Sequence, residues 1–198
     1  MRFTFFYKKT FWNGKKSDGR KGPRLLISKK SLSILILFLN SWGTVWSEPL
    51  SNFAFYNLKK ERIVLSDSLR EFSKKDLLIL NFTGSTCKPC KEQVPILQRL
   101  TKQANLLSQR GHKVKLWIVF VGDDFDTGKE YSKILKLEKE TETLVDPLAS
   151  SYDQAKITGL PTVFVLDGKQ EILLRIEGFT EAGNVSLENF LNSFTKRE

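Results

Sequence analysis

The chain has 198 residues, 40% of them hydrophobic and 27% charged, which is room for one ordinary globular domain plus an extension. Its net charge of +10 is unevenly spread: Met1 to Ser47 carries ten Lys or Arg against one acid, Asp18, and Glu48 to Glu198 carries twenty-two against twenty-one. The body is therefore nearly neutral, and the basic total is no sign of a nucleic-acid-binding surface.

The basic excess belongs to a leader. Lys29 and Lys30 are followed by the apolar stretch Ser31–Leu39, and no charge occurs from Ser31 to Ser47. A short apolar core behind a positive region is the pattern of a secretory signal peptide, with Val45 and Ser47 as the small residues before a cut that leaves Glu48 first. The alternative is an uncleaved membrane anchor, for which seventeen uncharged residues are at the short limit. In both cases the positive side stays in the cytoplasm and residues 48–198 are exported, to the periplasm or to the periplasmic face of the membrane. The apolar core is not followed by a cysteine, so no lipid anchor is expected. The stretch before Lys29 is long for a signal and reads as an over-extended start, with the true beginning nearer Leu25.

Glu48 to Lys60 is a lead-in without clear period. Ile63–Leu65 predicts a short strand, with Ser66 or Asp67 capping a short helix through Phe72. Leu77–Phe82 is an apolar run broken only by Asn81, short enough for a strand in the middle of a sheet. Thr83–Thr86 are turn and N-cap residues, and a helix is expected from about Lys88 to Arg110, kinked at Pro95 and stopped by Gly111. Val114–Val121 is a second buried strand. Asp126 or Thr127 caps a helix through about Glu138; Leu144–Val145 is a brief strand and Pro147–Ala155 a short helix. Thr162–Leu166 and Glu171–Ile176 pair as a hairpin turning on Asp167-Gly168, and Ser186–Phe194 is a terminal helix. The sum is an α/β fold with a central mixed sheet flanked by helices.

The only two cysteines, Cys87 and Cys90, fall where the central strand hands over to a helix. The free N–H groups of a helix's first turn carry partial positive charge, so a thiol there ionises more readily, and Lys88 pushes the same way. Two intervening residues let the sulfurs close a small ring, so the pair can cycle between dithiol and disulfide. In such geometry the first cysteine is the exposed one and attacks, making Cys87 the nucleophile and Cys90 the resolving thiol. Pro89 stiffens the loop between them. Glu92 and Gln93 lie within a turn of Cys90, where one of them could relay the proton that Cys90 loses.

At these residues the chain resembles the thioredoxin superfamily, and within it the exported TlpA-like and ResA-like thiol-disulfide oxidoreductases. The resemblance runs from about Ile63 to Phe194 and rests on the strand LLILNF, the motif Cys87-Lys88-Pro89-Cys90, Pro95, and Gly159-Leu160-Pro161-Thr162. Asn81 stands where cytoplasmic thioredoxins tend to carry a buried acid. Two positions depart from the pattern: Thr86 replaces a common Trp before the first cysteine, and Gln93 replaces an acid three residues after the second. The resemblance implies a thioredoxin-like fold over residues 48–198, with a cis bond before Pro161 and the backbone of Leu160 pairing with an extended substrate segment. It also implies reduction of disulfides in exported proteins, for example apocytochromes c, with a membrane thiol reductase as electron donor and no cofactor.

Other chemistries fit less well. Two cysteines without a neighbouring His or Met are too few for a closed zinc site, which leaves a two-coordinate Cu(I) carrier as the metal alternative. A disulfide-forming oxidant is the redox alternative, because the potential depends on how far the thiolate is stabilised. A four-residue ring closes almost no loop, so the pair has no purely structural purpose. His112 is expected as a solvated loop residue. Asp123, Asp124 and Asp126 lack the spacing of a calcium loop and read as a capped helix start.

Overall fold

A computed structural model describes residues 49–108 and 111–196; the leader and its expected cleavage site lie outside the described residues. In chain order the elements are β1 (Ala54–Asn57), β2 (Arg62–Val64), α1 (Leu65–Leu69), β3 (Leu77–Thr83), α2 (Lys88–Leu107), β4 (Val114–Val121) and α3 (Phe125–Ile134). They continue with β5 (Glu142–Asp146), α4 (Ser150–Gln154), β6 (Thr162–Leu166), β7 (Ile172–Glu177) and α5 (Glu181–Lys196). The seven strands form one mixed sheet in the order β2-β1-β5-β4-β3-β6-β7. β3, β4 and β5 run parallel, and β6, β7, β1 and β2 continue the sheet antiparallel on either side.

Every residue of β3 is buried, because apolar layers cover both sheet faces. The alternation of a strand then deals its side chains to two cores. Leu78, Leu80 and Phe82 enter one with Phe53, Phe55, Trp117 and Phe164, whose rings meet mostly edge to face at 5.8–6.4 Å. Leu77 and Ile79 enter the other, under Val94, Leu97 and Leu100 of α2 and Leu187 and Leu191 of α5. Asn81 shares this second face, which puts a polar amide beneath the start of α2.

The structure corrects several expectations. The lead-in contains β1, whose buried Phe55 and register with Val145 of β5 and Ile63 of β2 extend the sheet; four residues gave too short a period to read. Thr83 ends β3, fully buried, and is not a turn residue. α1 begins at Leu65, with no side-chain cap from Ser66 or Asp67, and stops at Leu69. α2 ends at Leu107, ahead of Gly111. α3 is capped by Asp124, whose carboxylate accepts the Thr127 N–H at 2.7 Å, and ends at Ile134. α4 begins at Ser150 after Ala149, which holds a left-handed φ of 52°. The β6–β7 connection is a loop over residues 167–171 folded around the Asp167 carboxylate, which accepts the N–H groups of Lys169 and Glu171. α5 starts five residues early because the Thr180 hydroxyl accepts the Gly183 N–H at 3.1 Å. His112 is buried, not solvated: its ring stands edge-on to Phe194 at 5.3 Å.

Candidate functional site

β3 and β4 are parallel, so the turn after β3, the loop after β4 and the loop after β5 emerge at one end of the sheet. β6 runs the other way, so the loop entering it reaches that same end. The two cysteines lie there, joined as a disulfide with Cα atoms 5.4 Å apart. Cys87 is the N-cap residue of α2, in extended backbone, and its N–H donates to the Gly84 carbonyl at 3.1 Å. Lys88 and Pro89 form the first turn; proline is tolerated there because its missing N–H had no helical partner. The half-buried Cys87 precedes exposed Lys88 and Pro89, and Cys90 is 1% exposed. Cys87 is therefore the more accessible of the two cysteines, at the end of α2 that carries the free N–H groups.

The Leu160–Pro161 bond is cis. This loop lies against the cysteine turn: a Cβ placed on Gly84 would sit 3.3 Å from Leu160 Cδ1, so the absent side chain lets the leucine seat on the turn. The Pro161 carbonyl accepts the Gly178 N–H, and the Thr162 hydroxyl donates to the Gly159 carbonyl. One step back, the Thr158 hydroxyl donates to Glu177 at 2.6 Å, and Arg175 pairs with the same carboxylate. Those hydrogen bonds, Thr158 first, hold the Glu177 carboxyl below its ordinary pKa. Among the described residues, the backbone N–H and C=O of Leu160 have no hydrogen-bond partner.

Of the two residues expected near Cys90 for a proton relay, Glu92 is exposed and Gln93 is 2% exposed. The Gln93 Oε1 accepts Asn81 Nδ2–H at 2.9 Å, joining α2 to β3 through two buried neutral amides. Lys88 takes part in neither of the ion pairs found among the described residues.

One contact was not anticipated from sequence. The Asp123 carboxylate accepts Ser85 N–H at 2.8 Å and Ser85 Oγ–H at 2.6 Å, tying the β4–α3 loop to the turn two residues before Cys87. The available signal was topological: an acid just past the end of a strand parallel to β3 comes out beside the cysteine turn. Neighbouring Asp124 only caps α3, and that bond lowers its pKa. Among the described residues no three His, Cys, Asp or Glu side chains cluster to hold a metal ion.

Thr86, Lys88 and Pro89, which flank Cys87, are exposed. Two cavities of about 580 Å³ lie elsewhere, one lined by Arg62, Asp67 and Lys115 and one by Asn105, His112 and Thr141.

Comparison with known proteins agrees with this geometry. Residues 75–172 match the family described as thioredoxin-like. Solved structures with similar folds include a proposed thiol:disulfide interchange protein DsbE from Chlorobium tepidum, 21% identical, covering 75% of this chain and 96% of that one at a TM-score of 0.59. A thiol-disulfide oxidoreductase from Bacteroides fragilis is 23% identical, covering 70% and 98% at 0.53. StoA from Bacillus subtilis is 24% identical, covering 73% and 98% at 0.52. No curated protein matches the chain.

Proposed function

We propose that this chain, whose residues 75–172 match the thioredoxin-like family and whose fold is similar to that of solved thiol-disulfide oxidoreductases, is an exported reductase of protein disulfides. The observation that carries the reading is the pairing of a half-exposed Cys87 at a helix N-terminus with a buried Cys90, against a cis-proline loop whose Leu160 backbone has no partner among the described residues. An extended substrate segment pairs with that backbone and sets its disulfide in line with Cys87. The exposed residues that flank Cys87 suit a protein substrate better than a small molecule, which would use an enclosed pocket.

In the reaction the Cys87 thiolate attacks one sulfur of the substrate disulfide; a mixed disulfide forms and the first substrate thiolate leaves. Cys90, losing its proton, attacks the Cys87 sulfur and expels the second thiolate. The Cys87–Cys90 disulfide forms, two electrons pass to the substrate, and its two thiolates take up protons. A membrane thiol reductase then restores the dithiol. Apocytochrome c cysteines are one substrate class that fits, since they must be reduced outside the cytoplasm before haem attachment.

Substitution of the cysteines in the full chain tests this. Cys90→Ser mixed with a disulfide-bonded protein should accumulate a mixed disulfide through Cys87, and Cys87→Ser should form none. Equal trapping by both variants, or by neither, would overturn the assignment. Export is checked separately by sequencing the N-terminus of the protein recovered from cells: a start at Glu48 supports a cleaved signal.

A further inference from the structure

The Asp123–Ser85 tie places a formal charge beside the nucleophile. Ser85 is two residues before Cys87, a span of at most about 7 Å of chain, so the carboxylate stands roughly 9 Å from the reacting sulfur. The Cys87 N–H to Gly84 carbonyl bond closes the turn between Ser85 and the sulfur. Asp123 is half-buried and spends both oxygens on the neutral donors of Ser85; no cation pairs with it among the described residues.

The other charges near this end of the molecule are less constrained. On α2, Lys88 and Glu92 are exposed, and Lys91 rests its Nζ over the Tyr131 ring at 5.3 Å, toward α3. On the β4–α3 loop, Asp124 is engaged with the Thr127 N–H and Asp126 is exposed. The Gly159–Pro161 loop carries no charge. A half-buried charge is screened less by water and salt than an exposed one, so less of the field of Asp123 is lost to solvent than of that of Lys88.

We infer that Asp123 is a positioning residue that orders the turn bearing Cys87 and, through its negative charge, holds back ionisation of that thiol, biasing the cysteine pair toward the reducing side. The inference rests on the proposed oxidoreductase function and deepens it. A carboxylate near the sulfur disfavours the thiolate; a less stable thiolate makes the reduced protein less stable relative to the disulfide, which makes the pair a better electron donor. It acts against the helix N-terminus and Lys88, so the thiol is poised between the two.

The test uses the full chain and its Asp123→Asn, Asp123→Ser and Ser85→Ala variants. Two quantities are read in each: the pH dependence of Cys87 alkylation after reduction, and the reduction potential in glutathione buffers. Asp123→Asn keeps an oxygen to accept the Ser85 N–H but removes the charge; Asp123→Ser removes the charge with a smaller neutral side chain should the first variant fold poorly. A unit charge at roughly 9 Å moves a pKa by about 0.3–1.4 units. Both neutral variants should therefore lower the Cys87 pKa by about half a unit or more and make the potential less negative. Ser85→Ala, which keeps the carboxylate, should give less than half that shift. Unchanged pKa and potential in the neutral variants would overturn the inference, as would an equal shift in Ser85→Ala, which would assign the effect to loop order alone. If wild type itself failed to exchange with glutathione, the proposed function would fail instead.

Discussion

Replacing Gln93 isolates the one side-chain hydrogen bond found among the described residues between α2 and the central strand β3. Gln93→Met keeps the volume and removes the acceptor of Asn81 Nδ2–H, which sits at 2.9 Å. Asn81 is fully buried and its Oδ1 already lacks a partner, so the variant leaves a whole amide unpaired inside the sheet. A buried polar group without a partner costs about 1–3 kcal/mol, and Gln93→Met should destabilise by about that much. Asn81→Ala removes the orphaned oxygen along with the donor, at the expense of an unpaired Gln93 oxygen and a small cavity. The double variant leaves neither amide behind, and should be less destabilised than the sum of the singles by about 1–2 kcal/mol. Urea unfolding of the full chain measures this as shifts in midpoint at unchanged slope. Additivity to within about 0.5 kcal/mol would refute the pairing. The same variants address proton relay: both groups are neutral amides, so the pH profile of disulfide exchange should keep its shape in Gln93→Met.

Three further outcomes follow from the packing. The Asp76 carboxyl is opposed by partial burial, but the Ser73 and Lys113 N–H groups donate to it at 2.7 and 2.9 Å and hold its pKa below the ordinary aspartate value. A carboxyl lowered on folding adds stability above its unfolded pKa of about 3.9 and loses it as pH falls through the folded value. The stability gap between wild type and Asp76→Asn should therefore be widest near neutrality and shrink below about pH 4, as followed by urea midpoints across pH; a gap independent of pH would refute this. Gly183→Ala should destabilise by about 1–3 kcal/mol in thermal unfolding, because its Cβ would sit 2.8 Å from Ile176 Cγ2, where α5 meets β7. Asp146→Ala should cost about 3 kcal/mol or more in the same assay, since the buried carboxylate accepts Ser151 N–H at 2.8 Å and Ser151 Oγ–H at 2.5 Å, and Ser151 is itself buried. A loss below about 1 kcal/mol would contradict it.

What could be read from the sequence was what depends on long, uniform patterns. β3 and β4 are seven and eight residues of almost unbroken apolar character, and a doubly covered strand has little other way to look. The cysteines stood out because both flanking signals, buried strand and helix start, were strong. The missed parts depend on contacts between distant residues. β1 has four residues, and its partners Val145 and Ile63 supply what propensity did not. The apolar spacing of α5 is legible only from Ser186 because Gly183 and Asn184 interrupt it, yet Gly183 is the position that lets the helix approach Ile176. His112 looked solvated between Gly111 and Lys113, and only the arrival of Phe194 from the far end of the chain covers it. The Asp123–Ser85 tie spans 38 residues, and its logic lies in the parallel pairing of β3 with β4.

The central claim is that Cys87 and Cys90 exchange disulfides as an electron donor, and the most direct test is the reduction potential of the pair in the full chain. Equilibration in graded thiol buffers, with free thiols trapped by alkylation, gives the value. The account predicts a reducing pair, on the order of −270 mV as in thioredoxin, with Cys87 the first thiol to be modified. A potential near the roughly −120 mV of a strong disulfide-forming oxidant would contradict the reductase reading, and a pair that never exchanges would contradict the oxidoreductase reading altogether.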